Sequence, residues 1–157
     1  MHILMCNDDG ILADGLRHLA SYLSQYYRIT VVAPANEQSA KSHALTTEVP
    51  LKLDACNGED ENPRLYALTG TPSDCMKFGL SYLLTDDMPD LVISGINHGF
   101  NLGSDVLYSG TVSAAMESGF YGIPGLALSV ERYSVERGDE MHPFIPVSYT
   151  HLRAHET

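Results

Sequence analysis

The acidic pair Asp8-Asp9 is the part of this sequence whose residue types most directly suggest chemistry. It follows the short apolar run 2–6 and precedes Gly10. Adjacent carboxylates repel each other and disfavour a bound anion, unless a divalent cation lies between them. Carboxylate, hydroxyl and amide oxygens suit Mg²⁺, Mn²⁺ or Ca²⁺ better than structural zinc. Capping of the following helix, with a favourable interaction with its dipole, explains the pair equally well.

A second candidate feature is the hydroxyl-rich segment around Gly110. Ser109 and Thr111 flank this glycine where a helix pattern begins. Backbone N–H groups and the positive end of the helix dipole make such a helix start a potential phosphate-binding site. An ordinary capped helix is the alternative interpretation of the same residues.

A cation site and an anion site on one edge of a sheet would together indicate metal-assisted phosphoryl chemistry. In this hypothesis Asp8 or Asp9 accepts the proton of an attacking water. Donors near 109–111 and Asn97 stabilise the charge on the phosphate oxygens.

The elements that must position these residues alternate between short apolar runs and helical patterns. We predict strands at 2–6, 29–33, 49–53, 65–68, 90–94 and 125–130, and helices at 15–26, 75–84 and 111–119. A long loop is predicted from Gly95 to Gly110. Such alternation is typical of an α/β fold, here a Rossmann-like, doubly wound, mostly parallel sheet in three α/β/α layers.

Three polar segments follow core strands in this prediction: 7–9, 36–42 and 94–97. Because parallel strands end at the same edge of a sheet, residues far apart in sequence are expected to converge there. This convergence is the central inference from the sequence.

The composition limits the class of protein. A chain of 157 residues is expected to form one domain, and its formal net charge of −11 disfavours nucleic acid as a partner. No apolar run has the ~20 residues needed to cross a bilayer, and the start does not look like a signal peptide. Three unpatterned cysteines suit reduced thiols, so we expect a cytoplasmic protein without a membrane partner.

Five segments, in order from the first residues to about Val130, resemble the SurE family (survival protein E), whose members are metal-dependent 5′-nucleotidases. They are Ile3–Gly10; Val32–Pro34 with Gln38, Ser39 and Ser42; Gly70–Cys75; Ser94–Gly99 with Asn101, Gly103 and Asp105; and Tyr108–Glu117. A departure is Ser113, where the family is expected to have glycine.

The resemblance implies a site and an activity. It implies one divalent metal ion per subunit, such as Mg²⁺ or Mn²⁺. The implied ligands are Asp8, Asp9, Ser39 and Asn97, and the two aspartates are also implied to be catalytic. Its implied phosphate- or substrate-binding residues are Asn97, Gly99, Ser109, Gly110 and Thr111. The implied reaction is hydrolysis of nucleoside 5′-monophosphates, and in some members of 3′-monophosphates or polyphosphate. A homo-oligomer, either a dimer or a tetramer, is also implied.

The carboxyl end departs from the family. Family members continue well beyond this point, so residues 1–145 are interpreted as an incomplete SurE-like domain. Residues 146–157 do not resemble the family, and we predict that they are an artefactual tail of the kind left by translated sequencing adapters.

Two other classes stay open. An aspartyl-phosphate phosphatase of the haloacid-dehalogenase type would need two aspartates separated by one residue, whereas Asp8 and Asp9 are adjacent. A non-catalytic nucleotide-binding module would be expected to carry G-x-G-x-x-G in its first strand–helix turn, and this turn lacks it.

Overall fold

The computed structural model describes residues 1–38 and 43–130, and the backbone of 148–152. These residues form the strands β1 His2–Cys6, β2 Arg28–Pro34, β3 Leu53–Ala55, β4 Arg64–Leu68, β5 Leu91–His98, β6 Gly125–Val130 and β7 Ser148–Leu152. The α-helices are α1 Asp14–Leu23, α2 Pro72–Phe78 and α3 Gly110–Gly119. Among the described residues, no helix has both the length and the apolar character needed to cross a membrane.

The strands form one sheet in the order β3-β4-β2-β1-β5-β6-β7. The pairs from β4 to β6 are parallel, and the outermost pairs β3-β4 and β6-β7 are antiparallel. The chain moves from β1 to β2 on one side and later returns to β5 on the other. β1 is therefore central, and its carboxyl end lies at the point where the strand order reverses, where ligands bind in open α/β sheets.

Both faces of the sheet are covered, which confirms the predicted three-layer α/β/α architecture. Ile3 and Met5 of β1 pack with Leu16 of α1 on one face. Leu4, on the opposite face of the same strand, packs with Met76 of α2. Each fully buried aliphatic side chain of this kind contributes about 1.5–3 kcal/mol relative to an exposed one.

α3 lies unusually close to the sheet, because β6 begins with a glycine beneath it. A Cβ at Gly125 would lie 2.2 Å from the carbonyl oxygen of Ala115 and 2.6 Å from Ser118 Oγ. The helix backbone therefore rests directly on the strand backbone at this point.

The predicted loop beginning at Gly95 is wrong in its first part, because β5 continues to His98. The strand crosses an irregularity between Ser94 and Asn97, after which pairing with β6 resumes at Asn97 and Ser129. Gly95 has φ +121°, and a Cβ there would lie 2.3 Å from the Leu128 carbonyl oxygen. A glycine inside a strand pattern can mark such a bulge as well as a strand end.

Two other elements differ from prediction. The predicted strand 49–53 is observed as the short edge strand Leu53–Ala55. The predicted helix 75–84 begins earlier, at Pro72, and after Phe78 continues as a π-helical segment Gly79–Leu83. The early start follows from a capping box formed by Thr71 and Asp74, with proline in the first turn.

The predicted domain boundary at 145/146 stays a prediction. Residues 131–147 and 153–157 lie outside the described part of the chain, while the backbone of β7, within the predicted tail, pairs antiparallel with β6.

Candidate functional site

The carboxyl ends of β2, β1 and β5 are neighbours at one edge of the sheet, as predicted. Asp8 and Asp9 lie in the turn that follows β1, and Asn97 lies near the end of β5. The segment after β2 is tied to the same place, because the Gln38 N–H donates to the Asp8 carbonyl oxygen at 2.7 Å.

The turn after β1 is fixed by the buried side chain of Asn7. Its Nδ2 donates to the Gly10 carbonyl oxygen at 3.0 Å, and its Oδ1 accepts from the Gly10 N–H at 3.1 Å. Gly10 has φ +100°, a conformation that other residues rarely adopt. These constraints fix the backbone that presents Asp8 and Asp9.

Asp8 is buried against the start of α3. Its Oδ1 accepts a hydrogen bond of 2.6 Å from Thr111 Oγ1. The approach is close enough that a Cβ at Gly110 would lie 2.9 Å from Asp8 Cβ and 3.2 Å from Pro72 Cγ. The amino terminus of α3 therefore meets the carboxyl end of β1 at Asp8, and its dipole favours the negative charge there.

Asp9 is only partly buried, but its Oδ2 is inaccessible to solvent and has no hydrogen-bond partner among the described residues. Burial and then the neighbouring Asp8 carboxylate raise the pKa of Asp9, and Glu37 adds to this. The charge of His98 lowers the pKa of Asp9 but does not reverse the shift. A buried carboxylate oxygen without a donor, beside a second carboxylate, is an arrangement that a bound cation would satisfy.

Asn97 and Gly99 are joined to each other and to β6. Asn97 Nδ2 donates to the Gly99 carbonyl oxygen at 2.9 Å. This bond leaves Asn97 Oδ1, the amide oxygen, as the atom suited to a hard cation. Gly99 has φ +113°, and its N–H donates to the Val130 carbonyl oxygen at 2.8 Å. The phosphate-binding role implied for Gly99 stays a prediction.

The start of α3 is a capped helix terminus. Ser109 is the N-cap residue, and its Oγ accepts from the Val112 N–H at 3.2 Å. Ser113, the residue that departs from the family pattern, donates its hydroxyl to the Ser109 carbonyl oxygen at 2.7 Å. The serine is therefore accommodated inside the helix turn. The N–H groups of Gly110 and Thr111 lie at the helix start, where no intrahelical acceptor is available.

Ser39, the fourth predicted ligand, lies outside the described residues. The chain beyond residue 42 is anchored onto the helices by contacts that sequence reasoning did not identify. His43 Nε2 lies 2.8 Å from Glu117 Oε2 on α3. Thr71 Oγ1 donates to the Ala44 carbonyl oxygen at 2.7 Å. The partner of His43 is thus the buried Glu117, two turns into α3.

Asp74 completes this anchor and has a structural role. Its carboxylate accepts from the Thr71 N–H at 2.9 Å and from both the N–H and the hydroxyl of Thr46. Burial alone would raise the pKa of Asp74, but the hydrogen bonds from Thr46 and Thr71 outweigh it and lower the pKa below its usual value. The pattern Thr-x-x-Asp at a helix start is the sequence signal for this arrangement.

The donor set fits a divalent cation with hard oxygen ligands. Within the described ranges, no group of three or more His, Cys, Asp or Glu side chains is placed to hold a metal ion. The predicted site is of another kind, because it combines two carboxylates with an amide oxygen and a hydroxyl. Asp9 Oδ2, buried and without a donor, is the observation in favour of the cation.

Comparisons with known proteins find similar sequences. A 5′-nucleotidase SurE from Thermoanaerobacter sp. is 54% identical over 129 residues, which are 82% of this chain and 50% of that protein. A 5′-nucleotidase SurE from Caldanaerobacter subterraneus subsp. tengcongensis is 49% identical over 144 residues, or 91% and 56% of the two chains. The chain thus spans about half the length of the curated relatives it matches.

A solved structure and a family model also match this chain. The crystal structure of the SurE protein from Aquifex aeolicus superposes with a TM-score of 0.73 at 43% identity, and the match covers 82% of this chain and 50% of that one. The family model for survival protein SurE matches residues 3–154. The chain therefore belongs to the survival protein SurE family.

Proposed function

We propose that this protein is a divalent-metal-dependent phosphomonoesterase that hydrolyses nucleoside 5′-monophosphates to nucleoside and phosphate. The relatives named 5′-nucleotidase support the reaction class. The observation that carries the metal dependence is the buried Asp9 oxygen without a donor, next to Asp8, whose side chain lies against the start of α3.

Each residue of the site has a distinct task in this proposal. Asp8, Asp9, Ser39 and Asn97 would hold the cation, which when bound would neutralise the carboxylates and polarise a phosphoryl oxygen. The N–H groups at the start of α3 donate hydrogen bonds to the phosphate oxygens and stabilise their charge.

The remaining task is proton transfer. A carboxylate beside the cation, Asp8 or Asp9, would accept the proton of the attacking water.

We extend the proposal to nucleoside 3′-monophosphates and polyphosphate, because the proposed contacts are all with the phosphoryl group. The main substrate is a small-molecule nucleoside monophosphate, and the net charge of −11 disfavours nucleic acid as a partner. The cytoplasm suits the three free thiols of Cys6, Cys56 and Cys75.

A homo-oligomer, dimer or tetramer, is part of the same proposal. Large apolar side chains are exposed at Leu107, Tyr108 and Phe120, each more than 60% accessible. Exposed apolar surface of this kind favours association between protein chains.

A phosphate-release screen tests the activity. Nucleoside 5′- and 3′-monophosphates and polyphosphate are each assayed with Mg²⁺, Mn²⁺, Ca²⁺ or EDTA, with the full-length Thermoanaerobacter relative as the positive control. We expect release from 5′-monophosphates that EDTA abolishes and added metal restores.

Three results would contradict the proposal. The first is release that persists in EDTA, and the second is no release under conditions in which the relative is active. The third is a trapped covalent phosphoaspartate, which would indicate the haloacid-dehalogenase mechanism instead. Calorimetric titration with NAD and AMP adds a check, because tight NAD binding without metal would favour a non-catalytic module.

A further inference from the structure

We propose that Thr111 is a positioning residue that orients the Asp8 carboxylate for the divalent cation, and that its hydroxyl does not bind the phosphate. The inference rests on the proposed function, since it concerns the same site. It changes the role of Thr111 from a direct phosphate contact to a residue that acts through Asp8.

The hydrogen-bond geometry carries the inference. Thr111 is fully buried, and its Oγ1 lies 2.6 Å from Asp8 Oδ1. A hydroxyl has one hydrogen to donate, and here the carboxylate receives it. Phosphate oxygens need donors, so this hydroxyl has no hydrogen left for them while the bond to Asp8 persists.

The same bond restricts the carboxylate. Hydrogen bonds from a hydroxyl to an ionised carboxylate are short and strong, and this one occupies Oδ1. The Asp8 side chain is also confined by the backbone of Gly110, where a Cβ would lie only 2.9 Å from Asp8 Cβ. Asp8 Oδ2 is left as the oxygen that Thr111 does not engage. Partners of this kind orient metal ligands in advance of binding.

Phosphate recognition then belongs to the backbone at the start of α3. The N–H groups there depend on the helix and not on the chemistry of the side chain at position 111. A substitution that removes only the hydroxyl should therefore separate metal binding from phosphate binding.

The experiment compares wild type with Thr111→Val and Thr111→Ser. Mn²⁺ alone is titrated by calorimetry, and inorganic phosphate is then titrated at saturating Mn²⁺. We expect Thr111→Val to raise the Kd for Mn²⁺ about tenfold or more, the effect typical of lost partners of metal ligands. The Kd for phosphate should change less than about twofold, because the backbone N–H groups are retained. Thr111→Ser should restore Mn²⁺ affinity.

A matched control is Ser118→Ala on the same helix. It removes another buried hydroxyl, which donates to the Ala115 carbonyl oxygen at 2.7 Å. Ser118 lies near the carboxyl end of α3, whereas Asp8 contacts its amino end. Its Mn²⁺ affinity should equal that of wild type. If Thr111→Val does not fold, as judged by circular dichroism, Thr111→Ala carries the same expectation.

Two results would overturn the inference. Unchanged Mn²⁺ affinity with weakened phosphate binding would assign the hydroxyl to the phosphate. Unchanged Mn²⁺ affinity with a lower unfolding temperature alone would make the bond purely structural. A wild-type protein that binds no Mn²⁺ would instead refute the proposed function, so the two failures are distinguishable.

Discussion

The two ends of β1 both bury polar side chains, but only one end satisfies them. At its start, His2 donates its N–H to Asp90 Oδ2 at 2.7 Å, and its ring nitrogens meet the Asp87 carbonyl oxygen and Thr30 Oγ1 at 3.2 and 2.9 Å. Beyond its end, Asp9 keeps a buried oxygen that has no donor within the described ranges.

The charges around the two ends of β1 differ as well. At the start, the Asp87 carboxylate pairs with Arg28 and approaches Arg64 to 4.0 Å, so both signs are present. At the other end, the carboxylates of Asp8 and Asp9 are adjacent. The comparison teaches that burial of polar groups alone does not mark a functional site. A buried carboxylate oxygen without a donor, next to a second carboxylate, is a stronger indication, because a bound cation can supply the missing partner.

The largest effect should follow from removing a carboxylate at the end of β1. We expect Asp9→Asn or Asp8→Asn to lower phosphate release on the order of 10³-fold and to abolish Mn²⁺ binding. Metal-free Asp9→Asn should unfold at a higher temperature than wild type, because burial and repulsion from Asp8 do not penalise an uncharged amide.

Phosphate release, Mn²⁺ calorimetry and thermal unfolding with and without EDTA measure these effects. Asp87→Asn, at the start of the strand, is the matched control and should lose stability without losing activity per folded molecule. Near-normal turnover of both Asp8→Asn and Asp9→Asn at saturating metal would refute the assignment of the site.

A smaller effect is expected where the helix meets the strand end. Gly110→Ala places a methyl group 2.9 Å from Asp8 Cβ, so Asp8 or the start of α3 must move. Displacements of about 1 Å in a site can cost on the order of 10²-fold in rate. Gly119→Ala is the control in the same helix, because its added Cβ meets nothing within 4 Å. Equal rates for the two variants would argue that the contact between Asp8 and α3 does not control activity.

The smallest effect on activity, and a clear effect on stability, is expected at the start of β1. His2→Leu leaves Thr30 and the Asp87 carbonyl oxygen without the imidazole, which should lower the free energy of unfolding by about 2 kcal/mol. Turnover per folded molecule should stay at the wild-type level.

The same residue gives the stability a pH dependence. Burial, followed by the charge of Arg28, lowers the pKa of His2. Between this lowered pKa and the ordinary value of about 6.5, the unfolded chain binds a proton that the folded chain does not, so acidification favours unfolding. Urea unfolding at about pH 7.5 and about pH 5.5 should show a loss of stability in wild type that is smaller in His2→Leu. An equal loss in both proteins would assign the dependence to other groups.

Much of the candidate site could be predicted from sequence because parallel strands end at the same edge of a sheet. Asp8, Asp9 and Asn97 follow or end neighbouring strands, and the crossover to β6 supplies the helix start that contacts Asp8. The periodicity of the apolar runs was enough to predict the parallel strands of that sheet and its layers, but not the antiparallel edge strands β3 and β7.

The remaining features depend on contacts that a linear pattern does not contain. Asp8 and Thr111 are 103 positions apart, so the sequence could not say whether the hydroxyl meets a carboxylate or a phosphate. Gly95 signals a bulge and a strand end equally well, which is why Asn97 was predicted in a loop. The pairing of His43 with Glu117 joins a loop to a helix interior, and neither residue type alone indicates it.

Gly125, at the start of β6, also affects the candidate site at the carboxyl ends of the strands. The backbone of Gly125 contacts the backbone of Ala115 directly, so the distance between α3 and the sheet is set by backbone atoms and not by side chains that could change rotamer. A side chain at that position would lift the helix and carry the Thr111 hydroxyl away from Asp8. The spacing between a carboxylate and its hydrogen-bond donor is thus held by a residue that takes no part in the chemistry itself.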